Sequence, residues 1–574
     1  MGQTLSQAQE NHGHDYTLDE APNPLVYLPL DLTSNQIRML HLLPGNWEDP
    51  IRCVLNTALL DDSPKYEALS YAWGDPHDRR LVEVDGKKKS ITVNLYHALR
   101  RLRYPQDERR LWVDAVCINQ NDNVEKSHQV SLMQKIYSST ERAVLWLGEF
   151  SDGPTTAANQ IPRQTATDAF ALLELMAANK HFTSRQEDGN KELEDKAISS
   201  LSCLVDLPWW HRAWTVQEAV LPPDATVMCG TAQFPFSLLM KASDNSLDHH
   251  FRGCCDTNDE LYPFWDRVRG LDVAKNDAKE APEYSVHGAC NLFRARQASD
   301  PRDKVYAYFW LGEELPVDYS LPYEEVFKLT TRSLIQQSGI LQCLFRTAEE
   351  KRSPTLPTWV PDWCAEFNKE HLNSDMAWVE VPRFYKAAGR TEAITRDTSS
   401  DKILDLRGVV LDRIATVGPI LETRKTIEET ISLWQDNPST QYPRGGTYRE
   451  ASWRTYSADI YQSPGTHRRM TSSENAEEIA KHWMKEDPNW ISVEAFRKRG
   501  FTTDTGLIGL GSGDIQVGDS ISVLGGGRMP FVLRRVEGPG GGVAYQYIGH
   551  AYVHGIMDGE VMEEGRDMEW ISLV

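Results

Sequence analysis

The chain has 574 residues, of which 40% are hydrophobic and 25% are charged, values typical of a soluble globular protein with about two to four domains. Its 83 acidic residues outnumber the 61 basic ones, so the net charge is −22, which excludes broad electrostatic binding to nucleic-acid phosphates. No apolar run approaches the roughly 20 residues needed to cross a bilayer, so we expect no membrane-spanning segment.

The first 22 residues are polar and are predicted to be disordered. The opening Met1–Ser6 fits the pattern M-G-x-x-x-[ST], which predicts myristoylation of Gly2, the alternative being an ordinary tail. One acyl chain gives weak, reversible membrane contact, and residues 3–37 contain no Lys, Arg or Cys to reinforce it. We therefore expect a cytoplasmic protein with, at most, a peripheral membrane fraction.

Alternating strand and helix patterns follow between residues 66 and 147. The strands are predicted from apolar and β-branched runs, and the helices from apolar residues at helical spacing, the first of them capped by Asn94. The predicted strands are Tyr66–Trp73, Ile91–Val93, Leu111–Ile118 and Ala143–Leu147. This order favours an α/β domain with a parallel sheet and crossover helices.

Two carboxylates lie at predicted strand ends, which is where parallel sheets bind ligands. Asp75 follows the first strand through a turn, and Asp114 lies within an apolar strand. Because a buried carboxylate needs hydrogen-bond partners, Asp114 either tethers the neighbouring loop or takes part in chemistry.

A tryptophan-rich segment, residues 208–218, offers a third candidate. Trp214 and Glu218 are four residues apart and share one face if the segment is helical. The carboxylate and ring then either cradle a cationic ligand or belong to a core helix in which Glu218 pairs with Arg212.

Cysteine usage gives weaker signals. The nine cysteines form no CxxC pair, which is typical of reduced intracellular thiols. Cys117 is either a nucleophile served by His128 or a core thiol. The cluster His249, His250, Cys254 and Cys255 has zinc-ligand chemistry, but adjacent cysteines suit tetrahedral geometry poorly, so we expect no metal site.

The C-terminal half is predicted to contain a mainly helical region, residues 237–400, and a β-rich region with insertions, residues 401–574. Glycine-rich turns between short β runs in the last 75 residues favour hairpins in a small barrel or sandwich.

Four segments resemble the motif blocks of the fungal heterokaryon incompatibility (HET) domain: YEALSYAWGD (66–75), LWVDAVCINQNDNVEKSHQVSLMQKIY (111–137), VLWLG (144–148) and WWHRAWTVQE (209–218). Further segments resemble sequences that follow this domain in such proteins: RDKVYA (302–307), LPTWVPDW (356–363), PFVLR (530–534) and AYVHGIMDGE (551–560). The resemblance implies a HET domain over residues 23–236, with its core at 66–218.

This resemblance implies a role in non-self recognition and programmed cell death, with self-association and a partner protein on another chain. HET domains are remotely similar to TIR domains, which implies a TIR-like parallel sheet. Trp214–Glu218 resembles the TIR pattern Trp-Cys-x-x-Glu, whose glutamate cleaves NAD, with Thr215 in the cysteine position.

The resemblance thus implies that Glu218 is the catalytic carboxylate, facing an open cleft, with NAD as substrate and no cofactor. The positions expected to bind this substrate include stacking rings and a cation for the pyrophosphate: Tyr71, Trp73, Asp75, Asp114, Arg212 and Trp214. Two alternatives remain open, a non-enzymatic interaction module in incompatibility signalling and a hydrolase using Cys117.

Overall fold

A computed structural model describes most of the chain: residues 25–151, 159–181, 191–254, 261–276, 286–312, 315–345, 353–365, 378, 381–398, 400–435, 440–463, 466–487, 490–538 and 541–574. The predicted tail, Gly2 and Cys255 lie outside these residues. The chain divides into two compact units, residues 1–276 and 277–574. None of the described helices combines the length and apolar character that crossing a bilayer requires.

The first unit is built on one mixed sheet, with ten strands among the described residues. Its strands are β1 (Gln36–Leu42), β2 (Arg52–Leu59), β3 (Glu67–Tyr71), β4 (Arg79–Val84), β5 (Lys87–Thr92), β6 (Arg109–Trp112), β7 (Arg142–Ser151), β8 (Gln160–Pro162), β9 (Ala225–Cys229) and β10 (Ala232–Pro235). They pair in the order β10-β9-β7-β3-β6-β1-β2-β4-β5, and β8 adds to β7.

The centre of this sheet is parallel, and its flanks are mainly antiparallel, with one parallel pair between β2 and β4. Strand β3 runs parallel to both β6 and β7, and β7 runs parallel to β9. The pairs β1–β2, β1–β6, β4–β5 and β9–β10 are antiparallel. The prediction of a parallel sheet with crossover helices is therefore confirmed for the central strands. It is wrong for the predicted strand Ile91–Val93, which lies in the antiparallel pair β4–β5.

The helices of the first unit connect and cover these strands. They are α1 (Val93–Leu102), α2 (Asp114–Cys117), α3 (Asn123–Ser131), α4 (Met133–Ser138), α5 (Arg163–Ala177), α6 (Lys191–Val205), α7 (Thr215–Val220), α8 (Phe236–Phe251) and α9 (Tyr262–Asn276). The predicted HET boundary at residue 236 coincides with the start of α8, and both α8 and α9 belong to the first unit.

Two local predictions in this unit are wrong for identifiable reasons. The predicted strand Leu111–Ile118 ends at Trp112, because Asp114 Oδ1 accepts a hydrogen bond from the Ala115 N–H at 2.7 Å and a helical turn begins there. Asn94 does not cap α1, whose cap position is Thr92. Its side chain instead joins the end of β3 to β7, donating to the Ala72 carbonyl at 2.6 Å and accepting from Trp146 Nε1 at 2.9 Å.

The second unit contains helices and a closed barrel. Its helices are α10 (Val286–Leu292), α11 (Asp303–Tyr306), α12 (Tyr323–Ser338), α13 (Arg424–Trp434), α14 (Tyr448–Tyr456), α15 (Ala476–Glu486) and α16 (Glu560–Glu563). Its strands are β11 (Thr395–Arg396), β12 (Leu404–Ile420), β13 (Ile460–Ser463), β14 (Thr466–Arg469), β15 (Arg499–Thr503), β16 (Ile508–Gly511), β17 (Ser520–Leu524), β18 (Phe531–Glu537), β19 (Val543–Val553) and β20 (Glu569–Leu573).

The barrel closes through the long strand β12. The pairing order β12-β15-β16-β19-β18-β17 returns from β17 to β12, so the strands form a ring. Register shifts after Val410, Ile414 and Val417 bend β12, which lets one strand pair with β17 and β20 and then with β15. The sequence allowed a barrel or a sandwich, and the strand pairing is that of a barrel.

Candidate functional site

Glu218 lies on α7, which packs against β3 and β7. Ser70 Oγ donates a hydrogen bond to Glu218 Oε2 at 2.5 Å, and Trp209 Nε1 donates to Ser70 Oγ at 2.8 Å. The Glu218 residue is only 3% exposed. The carboxylate is therefore enclosed behind the end of β3, whereas the sequence-based hypothesis placed it in an open cleft.

This enclosure changes the acidity of Glu218. Burial raises the pKa of its carboxyl group to about 7. The positive charge of Arg212 and the hydrogen bond from Ser70 lower the pKa, and the negative charge of Asp114 raises it further. Glu218 is consequently a carboxyl group that changes its protonation near neutral pH, a property of general acids and bases in active sites.

A second group of side chains lies at the ends of β3 and β6. Asp114 Oδ2 accepts a hydrogen bond from Trp73 Nε1 at 2.9 Å and lies 3.4 Å from Arg212 Nη2. Arg212 also donates from Nη1 to the Tyr71 carbonyl at 3.1 Å, and its guanidinium lies 5.2 Å from the centre of the Trp73 ring. The Asp114 carboxylate thus holds a cation and an indole ring in fixed positions.

A pocket of about 260 Å³ opens beside this group. Its wall includes Trp73, whose residue is 38% exposed, and the two cationic side chains Arg79 and Lys89. Burial lowers the pKa of Lys89 to about 8, and the charge of Arg79 adds to this shift. An anionic ligand would relieve the repulsion between the two cations, so the pocket is suited to a ring with an attached anionic group.

The predicted site residues do not all meet. Tyr71, Trp73, Asp114, Arg212 and Glu218 lie together, although Tyr71 is buried in the pocket wall.

Asp75 lies on the exposed turn after β3, where its Oδ1 accepts from the His77 N–H at 2.8 Å. Trp214 is buried, and its carbonyl accepts from the Glu218 N–H at 3.3 Å. The wall of the pocket beside Trp73 does not include Glu218, Asp75 or Trp214.

The Cys117 alternative finds no support in this geometry. The thiol is fully buried, and burial raises its pKa to about 12. A thiol of that acidity is not a thiolate at neutral pH. His128 lies on α3, where its Nδ1 is 3.3 Å from Gln129 Nε2.

Sequence reasoning missed Ser70, Trp209, Arg79 and Lys89 as members of this region. A polar Ser70 between apolar residues of a predicted strand was the one available signal, because buried hydroxyls need partners. Arg79 and Lys89 lie on β4 and β5, an antiparallel hairpin whose approach to β3 depends on the tertiary fold.

Comparison with known families gives two matches. Residues 66–218 match the family described as Heterokaryon incompatibility protein (HET), and residues 449–572 match the Het-6 beta-barrel domain. The first match includes β3 to β7 and ends at Glu218, within α7. The second coincides with most of the closed ring of strands.

One curated relative extends the similarity over nearly the whole chain. The chain is 27% identical to Heterokaryon incompatibility protein 6, OR allele, of Neurospora crassa, in an alignment of 658 positions that covers 92% of this chain and 95% of that protein. No solved structure matches the chain.

Proposed function

Because the chain belongs to the fungal heterokaryon incompatibility (HET) proteins, we propose that it is an effector of non-self recognition whose HET domain causes cell death by cleaving NAD. Glu218 is the catalytic carboxylate in this proposal. The observation that carries it is a carboxyl group with a pKa of about 7, directly behind the ends of parallel strands and close to a pocket of rings and cations.

The pocket gives the dinucleotide its binding contacts. The exposed face of Trp73 stacks on one ring, and Arg79 and Lys89 receive the pyrophosphate. Arg212, which the sequence assigned to the pyrophosphate, is half-buried and paired with Asp114. Arg212 and Asp114 are therefore positioning residues that keep Trp73 and Glu218 in place.

The reaction requires few groups. The bond between C1′ of the ribose and the pyridinium nitrogen breaks, and its electron pair neutralises the nitrogen, so nicotinamide leaves without a general acid. The Glu218 carboxylate stabilises the oxocarbenium-like transition state. Water then adds to C1′ and gives a proton to the carboxylate, which returns it to solvent; the products are nicotinamide, ADP-ribose and a proton.

The enclosure of Glu218 makes the described conformation a resting state in this proposal. Substrate reaches the carboxylate only after the link from Trp209 through Ser70 to Glu218 opens. Self-association of the HET domain supplies the free energy for that opening, since a ligand or partner shifts a conformational equilibrium only by binding one state more tightly.

The test uses the full-length protein at high concentration, with NAD loss as the readout. Glu218→Gln is expected to reduce turnover by about a hundredfold or more, the scale seen when one electrostatic contact to a transition state is lost. Glu174→Gln, which changes an exposed carboxylate on α5, is the matched control and should keep normal turnover. NAD loss that persists in Glu218→Gln would refute the assigned role.

A second function, a non-enzymatic interaction module, is favoured by the same enclosure. A carboxyl group that is 3% exposed and tied to Ser70 serves the fold well as a buried polar contact. Under this alternative no NAD is lost at any concentration, and cell death caused by the protein is equal in the wild type and in Glu218→Gln.

A further inference from the structure

Three side chains with metal-ligand chemistry meet outside the Glu218 site. His249 lies near the end of α8, Cys254 follows that helix, and His181 follows α5. Each offers one ligand atom, and these atoms all lie within 4.8 Å of one another. The sulfur of Cys254 is 3.2 Å from His249 Nδ1, and the two imidazole rings meet edge to face with their centres 4.8 Å apart.

His249 is held in the orientation that a metal ligand needs. Its Nε2 lies 3.0 Å from Asn179 Oδ1, and because an amide oxygen only accepts, Nε2 carries the proton. The lone pair is therefore on Nδ1, which faces Cys254. In most metal-binding histidines, the ring nitrogen that does not bind the metal donates a hydrogen bond to an oxygen, and this hydrogen bond fixes the tautomer. The contact between His249 Nε2 and Asn179 Oδ1 is of this kind.

The backbone around the cluster is also fixed. Asn179 and Gly253 adopt left-handed conformations, with φ of 57° and 62°, which turn the chain sharply after α5 and α8. Asn245 Nδ2 joins the two helices by donating to the Met176 carbonyl at 2.9 Å. His249 is buried, Cys254 is half-buried and His181 is exposed, so the cluster has a buried base and an opening to solvent.

We propose that His181, His249 and Cys254 bind one zinc ion, with water as the fourth ligand. Imidazole nitrogens and a thiolate are the donors that zinc prefers, at about 2.0–2.3 Å, which places tetrahedral ligand atoms about 3.3–3.6 Å apart. The 3.2 Å between Cys254 Sγ and His249 Nδ1 matches that spacing, and the ligand atom of His181, within 4.8 Å of both, reaches it by a small movement of an exposed side chain. The ion links the end of α5 to the end of α8 and stabilises the first unit.

The sequence-based expectation of no metal site rested on the poor tetrahedral geometry of the adjacent Cys254 and Cys255. His250 points elsewhere, with its ring centre 4.9 Å from that of Trp265. The missing ligand is His181, which is 68 residues from His249 in the chain. Two adjacent cysteines are not needed once this distant histidine completes the set.

Zinc binding at this site is coupled to proton release. Without the ion, the Cys254 thiol donates to His249 Nδ1 across their 3.2 Å contact. The ion displaces that proton, because zinc binds the thiolate.

The experiment measures zinc on the full-length protein. Metal-free protein is titrated with Zn²⁺ against a chromophoric chelator, and Co²⁺ is used separately to detect the absorption of a cobalt–thiolate bond. We expect one zinc per chain, lost in Cys254→Ser and His181→Asn. Both substitutions are at positions open to solvent, and circular dichroism confirms folding. Cys203→Ser, at an exposed cysteine on α6, is the matched control and should bind normally.

A further variant tests the orientation of His249. Asn179→Gly tolerates the left-handed backbone but removes the acceptor, and it should weaken zinc binding by about 10- to 100-fold. The proposal is overturned if the wild type binds no zinc, if Cys254→Ser binds it as tightly as the wild type, or if cobalt gives no thiolate absorption.

Discussion

The protonation of Glu218 makes a prediction that does not depend on catalysis. Burial holds the pKa of this carboxyl at about 7, against 4.5 for an exposed glutamate. The folded protein therefore binds the proton more tightly than the unfolded chain. The stability gained in this way is complete below about pH 4.5 and is lost as the pH rises through about 7. Because each unit of pKa difference corresponds to about 1.4 kcal/mol, the raised pKa of Glu218 adds about 3 kcal/mol to the free energy of unfolding at low pH.

Glu218→Gln removes this titration while keeping the size of the side chain and an oxygen that accepts from Ser70. The free energies of unfolding of the two full-length proteins are compared in urea at pH 5 and pH 8, with tryptophan fluorescence as the readout. Between these pH values, the stability of the glutamine variant relative to the wild type should increase by about 2–3 kcal/mol.

Glu174→Gln, which replaces an exposed carboxylate on α5, is the matched control for the loss of one negative charge. If the stability difference between Glu218→Gln and the wild type stays constant between pH 5 and pH 8, within about 0.5 kcal/mol, the Glu218 carboxyl does not titrate in this range. The assignment of a neutral-pH acid to this site would then be wrong.

Two further predictions concern buried groups of the first unit. Arg38 and Glu125 form a buried ion pair with Nη1 and Oε1 2.6 Å apart. Because Arg38→Met leaves the Glu125 carboxylate without its cation, it should lower the free energy of unfolding by about 3–5 kcal/mol. An unchanged midpoint of unfolding in urea would contradict this. Iodoacetamide should label the exposed Cys203 in the native protein and leave the buried Cys117 unmodified. Peptide mass spectrometry measures both. Labelling of Cys117 in the native protein would contradict this prediction and would mean that the region around this thiol opens readily.

The central strands could be predicted from sequence because burial alone specifies them. The apolar run Ala143–Leu147 forms the middle of β7, which is buried on both faces. The helical spacing of Leu95, Ala98, Leu99 and Leu102 likewise appears as the buried face of α1. In these segments the hydrophobic pattern and the tertiary structure require the same conformation.

The pattern was insufficient where side chains compete locally with the backbone. Leu111–Ile118 is apolar throughout except for Asp114, and such a run does not distinguish a strand from a buried helical turn. The Asp114 carboxylate decides the outcome by accepting the Ala115 N–H. The antiparallel pairs β1–β2 and β4–β5 were missed because β1, β2 and β4 were not predicted as strands. The pairing of β1 with β6 joins distant segments, which no local pattern encodes.

The candidate site was predicted in part. Resemblance to known motifs identified Glu218, and the structure places it near Asp114 and Arg212. Its contact with Ser70 joins residues 148 positions apart, so neither that hydrogen bond nor the enclosure of the carboxylate follows from local sequence. Enclosure is a property of packing, and it determines both the acidity of Glu218 and its access to solvent.

The long strand β12 has a consequence for synthesis of the chain. Its barrel partners β15 and β17 begin about 80 and 100 residues after it ends. At about 5–20 residues per second on the ribosome, β12 therefore leaves the ribosome on the order of 5–20 s before these two partner strands are synthesised. During that interval the unpaired backbone N–H and C=O groups of β12 can hydrogen-bond to another chain. We therefore expect the nascent chain to need chaperones from the time Ile420 leaves the ribosome until the remaining barrel strands have been synthesised.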